Sequence, residues 1–234
     1  MPIVRAAVVL VCAATAAALS ACATRVSTDA PAGVTLEGSW KLDHAASDDP
    51  EKILAKMRTE AFRLLGRRTV VPEPRPGGRG ARGGGHATQE AAGDEEFAPD
   101  AHGHRPDPLR RSPMAHVIMT AVARGDFLTV RQKPGQIVLD YGISQRTFTP
   151  GLRSVVSAEG GVGDQTSGWK GREYLIELRA QMGPDVTERY GLSRDGKHLI
   201  EKLHIGSAEL PAVELTRVYN LTTEAAPRQF PGTD

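Results

Sequence analysis

The chain has 234 residues, of which 40% are apolar, 24% charged and only 5% aromatic, with a formal net charge of +1. This length allows one moderate domain with flanking segments and excludes a multi-domain machine. The near-zero charge balance argues against a nucleic-acid partner.

Met1 to Arg5 carry one positive charge, and Ala6 to Leu19 form an apolar run too short to span a bilayer but suited to a signal h-region. The run closes on Leu19-Ser20-Ala21-Cys22, which resembles the lipobox of bacterial lipoproteins. That resemblance implies a signal peptide over residues 1–21 and a diacylglycerol on the Cys22 thiol, with Cys22 as the acylated first residue of the mature chain. Ala23, in place of Asp, implies sorting to the outer membrane, with the domain facing the periplasm. Several acyl chains, at about 0.8 kcal/mol per buried methylene, make such an anchor effectively permanent. The only other cysteine, Cys12, leaves with the signal, so no disulfide, thiolate metal site or cysteine nucleophile is expected. Removing Arg5 with the signal leaves 28 basic residues against 28 acidic ones. An exported domain of this kind holds together by core burial.

Residues 22–35 are small and polar and are expected to form a tether. Residues 36–66 are expected to hold a first strand over Leu36 to Leu42 and a helix over Pro50 to Leu65. Asp49 can cap this helix, Pro50 suits its first position and Glu51 its first turn. Ile53, Leu54, Met57, Ala61, Leu64 and Leu65 recur at helical spacing, and Gly66 is placed to end it.

Residues 67–112 are rich in Pro, Gly, Ala and charge and predict a disordered, solvated linker. Its charges are blocky, with Arg67, Arg68, Arg75, Arg79 and Arg82 ahead of Glu90, Asp94, Glu95, Glu96 and Asp100. His102-Gly103-His104 has a spacing seen in metal sites, with His86 and His116 on either side. A Gly/Pro context offers nothing to orient the imidazoles, so neither a metal nor a cofactor is expected.

Residues 113–221 resume with a short apolar helical stripe of Met114, Val117, Ile118, Ala121 and Val122 and then read as strands throughout. These are Phe127 to Lys133, Gln136 to Tyr141, Ser144 to Thr149, Leu152 to Ser157, Gly168 to Ala180, Asp185 to Ser193, Lys197 to Ile205 and Ala212 to Asn220. Gly160-Gly161-Val162-Gly163 lacks the strand-to-helix context of a phosphate loop and reads as a flexible turn. Residues 222–234 read as a C-terminal tail. With the first strand this makes about 8–9 strands, a number suited to an antiparallel up-and-down barrel with one or two lid helices inserted after the first strand.

A two-residue Asp195-Gly196 turn pairs Leu192 with Leu199, Tyr190 with Glu201, Glu188 with Leu203 and Val186 with Ile205. That register puts Glu188, Tyr190 and Glu201 on the apolar face, with Arg217 on the last strand as a counter-ion. These four residues are the candidate ligand-binding groups, a polar handle among apolar walls for an amphipathic molecule. Two glutamates on adjacent strands could serve acid/base chemistry, but their spacing matches ordinary cross-strand charge patterning. His198 and His204 lie on the opposite face, and neither Gly-x-Ser-x-Gly nor a Walker loop is present, so no enzyme is expected.

Gly38-Ser39-Trp40 on the first strand resembles the Gly-x-Trp of lipocalins and their calycin relatives, and Arg217 resembles the arginine that packs across that tryptophan at the barrel base. The Thr-Asp-Tyr element of lipocalins has no counterpart, since Asp140-Tyr141 comes too early. The helical insertion is similar to the lid of fatty-acid-binding proteins, another calycin branch. The resemblance implies a barrel that binds a small apolar or amphipathic ligand on a lipid anchor at Cys22. The alternative is a non-enzymatic envelope interaction protein with a filled barrel and an unidentified protein partner.

Overall fold

The computed structural model describes residues 26–68 and 106–224. The expected signal peptide, Cys22, the histidines His86, His102 and His104, most of the expected linker and the tail from residue 225 lie outside the described residues.

Among the described residues, ten strands and two helices follow one another as β1 (Gly38–Leu42), α1 (Pro50–Arg68), α2 (Pro113–Ala123), β2 (Phe127–Lys133), β3 (Gln136–Asp140), β4 (Gln145–Phe148), β5 (Arg153–Ala158), β6 (Gly161–Lys170), β7 (Glu173–Ala180), β8 (Asp185–Leu192), β9 (His198–Gly206) and β10 (Val213–Thr222). All pair antiparallel in one sheet, in the order β4-β3-β2-β1-β10-β9-β8-β7-β6-β5. The first and last strands are neighbours, so the meander curls back on itself there, and β4 and β5 are left as its two edges. The end carrying the β2–β3, β6–β7 and β8–β9 turns is the base; the opposite end, under the helices, is the mouth.

The β8–β9 hairpin has the expected register, with Leu192 opposite Leu199, Tyr190 opposite Glu201, Glu188 opposite Leu203 and Val186 opposite Ile205. α1 starts as expected, the Asp49 carboxylate accepting from the Glu51 backbone N–H at 3.0 Å. α2 is a helix capped by Ser112, with Met114, Ala115, Ile118 and Ala121 buried and Val122 instead 44% exposed.

The strand count is ten rather than about nine because Gly161–Lys170 is a strand of its own. Its sequence, GVGDQTSGWK, has no apolar alternation. What holds it is its neighbours: it pairs along most of its length with β5 and β7. Its glycines answer close approaches, since a Cβ at Gly163 would meet Arg179 O at 2.9 Å and one at Gly168 would meet the Val26 side chain at 2.7 Å.

Residues 26–35, expected as tether, are packed. Ser27 and Trp169 exchange backbone hydrogen bonds of 2.7 and 2.8 Å, and Trp40 Nε1 donates to Leu36 O at 3.1 Å. Val34 and Leu36 are buried at the base. Residues 106–112, expected in the linker, are also packed, with Leu109 buried and Asp107 accepting from Arg58 Nε and Nη2. Gly168→Ala is expected to displace the 26–27 segment from β6 and cost about 1–3 kcal/mol as an overpacking substitution, measurable by urea denaturation.

The interior is layered. At the base, Leu36, Trp40, Leu128, Leu139, Phe148, Trp169, Tyr174, Ile176 and Leu199 form one apolar cluster. At the mouth, Met57, Ala61, Met114, Ile118 and Ala121 of the helices close over Val186, Leu203, Ile205 and Leu215. Charged groups separate the two.

Candidate functional site

Strand alternation carries Glu188 and Tyr190 of β8, Glu201 of β9 and Arg217 and Tyr219 of β10 inward between the apolar layers. Glu188, Glu201 and Arg217 are only 4%, 0% and 4% exposed. The four residues expected as a polar handle are therefore together. Two arginines that sequence reasoning missed complete the group: Arg124, just past the end of α2, and Arg146 of β4.

The Glu188 carboxylate accepts from Arg146 Nη1 at 2.9 and 2.6 Å, from Arg124 Nη2 at 2.9 Å and from the Tyr190 hydroxyl at 2.8 Å. Glu201 accepts from the Tyr190 and Tyr219 hydroxyls at 3.0 and 2.9 Å and from Arg124 Nη1 at 3.2 Å, with Arg217 Nη1 3.6 Å away. The single Tyr190 proton serves one carboxylate at a time, so Arg124, placed between both, supplies charge to the other. Tyr141 O–H, 3.0 Å away, then donates to the Tyr190 oxygen. Among the described residues, no buried side-chain polar atom lacks a partner.

Burial alone would raise the Glu188 carboxyl, but Arg124 and Arg146 outweigh it and hold the group well below the usual carboxylate range. Burial pushes the Tyr190 and Tyr219 phenols well above their ordinary value, and the neighbouring carboxylates push them further. Counted formally, the network joins three guanidinium groups to two carboxyl groups, a surplus of one basic group.

Arg217 does not lie across Trp40. Trp40 faces Leu221 in register and Leu42 faces Tyr219, which leaves Arg217 four residues nearer the mouth than the tryptophan's partner. That separation is about 13 Å along the strand. The Arg217 guanidinium sits over the Tyr219 ring at 5.3 Å and donates to Ala121 O and Gly125 O, tying down the end of α2. Gly38 lies close to the Trp40 indole, where a Cβ would come 3.4 Å from Nε1.

A cavity of about 650 Å³ opens at the mouth between the two sheet edges, under α2. Its walls are mainly apolar, from Val117, Ile143, Val156, Leu178 and Val186, and Arg124, Arg146 and Glu188 close its inner end. Of the four expected ligand-binding residues, only Glu188 lines this space. Tyr190 and Glu201 lie behind it, and Arg217 lines a separate cleft of about 400 Å³ between the helices. The signal for Arg146 was present in the sequence: it alternates with Thr147 and shares a face with buried Phe148. The histidines expected to be exposed stay outside, His198 meeting Asn220 at 2.7 Å and His204 meeting Glu214 at 3.4 Å.

No family model matches the chain, and no curated protein matches it. Solved structures similar to it include lipid binding protein 8 of Caenorhabditis elegans, at 12% identity and a TM-score of 0.43, over 82% of this chain and 100% of that one. Zebrafish ileal bile acid-binding protein complexed with cholic acid is similar at 13% identity and 0.39, over 80% and 98%. A fatty acid transporter mutant is similar at 11% identity and 0.41, over 80% and 98%.

Proposed function

We propose that this chain is a lipid-anchored envelope protein whose barrel takes up a small amphipathic molecule carrying one negative charge. The observation that carries the reading is the cavity, apolar along its walls and closed by Arg124 and Arg146 in a network with one positive charge in excess. Its volume falls in the range of small-molecule sites, which set a few polar groups among apolar walls. The ligand's apolar body lies against Val117, Val156, Leu178 and Val186, and its anionic head meets Arg146, whose Nη1 is engaged by Glu188. A carboxylate matches the guanidinium fork and neutralises the network in one step. The anchor rests on Leu19-Ser20-Ala21-Cys22 following the apolar run of Ala6 to Leu19.

The test is displacement of a fluorescent fatty acid by dodecanoate, dodecanol and dodecyltrimethylammonium. Dodecanoate is expected to compete at least ~10-fold better than the other two, equivalent to about 1.4 kcal/mol. Equal competition by all three would remove the arginines from recognition. The filled base half of the barrel favours the second reading, an interaction protein without ligand, and failure of every probe to bind would move the conclusion there.

A further inference from the structure

The described chain begins at the base of the barrel. Val26 packs over Gly168 on the outer face of β6, and Ser27 exchanges both backbone hydrogen bonds with Trp169. Val26 is four residue steps from Cys22, with three residues between them, a span of at most about 14 Å when fully extended. Gly168 lies seven residues from the mouth end of β6 at Gly161, about 23 Å along the strand. A lipid on Cys22 therefore reaches the base and cannot reach the mouth.

Basic side chains are exposed at both ends of this axis. The base turns expose Lys133, Lys170, Arg172, Arg194 and Lys197. Against these stand Asp195, whose carboxylate is taken by Ser193 Oγ and the Lys197 N–H, half-buried Glu173, and Asp29 and Glu37 of the N-terminal segment. The mouth turns 141–144, 159–160, 181–184 and 207–212 carry Glu159 and Glu209, but α1, which covers the mouth, exposes Lys52, Lys56, Arg63 and Arg67, and Arg110 and Arg111 are exposed in the segment that leads to α2. Apolar exposure does not choose between the ends, since Leu152 and Leu221 are exposed at the base and Ile143 and Met182 at the mouth. Reach does.

We infer that the base of the barrel is a membrane-contact face, held by the short anchor against the leaflet that carries its lipid, so that the mouth and its cavity point away from the bilayer into water. With the base held there, its basic turns add attraction to anionic headgroups over about a Debye length. Ligand then enters and leaves through the aqueous compartment, not by sliding from the leaflet that anchors the protein. This inference rests on the anchored reading above.

Cys12 and Cys22 are the only cysteines, so an introduced thiol is unique once Cys22 is acylated. Dye-labelled Arg172→Cys at the base and Glu209→Cys at the mouth, each in the full-length acylated protein, are placed on vesicles of phosphatidylethanolamine and phosphatidylglycerol containing a headgroup quencher. Quenching at the base is expected to exceed that at the mouth several-fold. Inserting a long Gly/Ser segment between Arg25 and Val26 is expected to bring the two values together. Equal or reversed quenching in acylated protein without the insertion overturns the orientation and leaves the anchor standing. An unmodified Cys22 by mass spectrometry overturns the anchor itself, and the orientation with it.

Discussion

Replacing Glu201 with Leu is expected to destabilise the fold by about 3–5 kcal/mol, because it leaves buried cations and phenols without their shared acceptor. Glu201 is fully buried and takes hydrogen bonds from Tyr190, Tyr219 and Arg124. Removing its charge leaves Arg124, Arg146 and Arg217 facing Glu188 alone, with two positive charges uncompensated. Glu201→Gln, which keeps the shape and an acceptor oxygen, is expected to lose less. Urea denaturation of the two variants beside the parent measures the difference, and a Leu variant within about 1 kcal/mol of the parent would show the network to be dispensable. Glu188 adds a pH dependence. Its carboxyl stays ionised in the fold at acidities where an ordinary glutamate, near 4.5, takes up a proton. Its contribution is therefore complete above that value in the unfolded chain and is lost as the pH falls further. Stability is expected to decline below about pH 4.5, and Glu188→Gln is expected to flatten that decline.

Arg146→Gln is expected to weaken binding of an anionic amphiphile by ~30-fold or more, as truncating one partner of a buried hydrogen-bonded charge pair costs about 2 kcal/mol upward. The side chain is 26% exposed and lines the cavity. Its loss removes both the fork nearest the ligand head and the network's surplus charge. Stability is expected to change much less than in Glu201→Leu, because Glu188 keeps Arg124 and Tyr190. Arg146→Lys, a point charge without the fork, is expected to recover part of the affinity. Fluorescent fatty-acid titration reads all three proteins. Unchanged affinity in Arg146→Gln would place the ligand head elsewhere.

Much of this architecture was legible from residues whose local chemistry has one outcome. Asp49 before Pro50 starts a helix wherever an apolar stripe follows. The Asp195-Gly196 turn sets the β8–β9 register, and with it the inward course of Glu188, Tyr190 and Glu201. β6 escaped because its strand character comes from its partners, its own side chains being Gly, Asp, Gln, Thr and Ser. Arg124 escaped for a related reason: it follows a helix rather than lying in a strand, so no alternation marks it as inward. Residues 26–35 read as tether because they are small and polar, yet Ser27 is held by backbone pairing with Trp169 and Val34 is buried, which composition does not encode. Arg217 was placed inside the barrel as a counter-ion, and it approaches Glu201 to 3.6 Å, but it does not lie across Trp40, since distance along a strand depends on the pairing of β1 with β10.

The two sheet edges, β4 and β5, share no ladder of backbone hydrogen bonds, so the barrel behaves as a clasp rather than a ring. Widening a closed ring means breaking a full row of such bonds. Widening a clasp disturbs only side-chain contacts across the split, leaving every existing ladder intact. The cavity lies at this split, with Ile143 and Arg146 on one lip and Val156 and Ala158 on the other. The space is thus elastic in one direction, able to widen at the split while the opposite wall, from β1 through β10 to β9, keeps its shape.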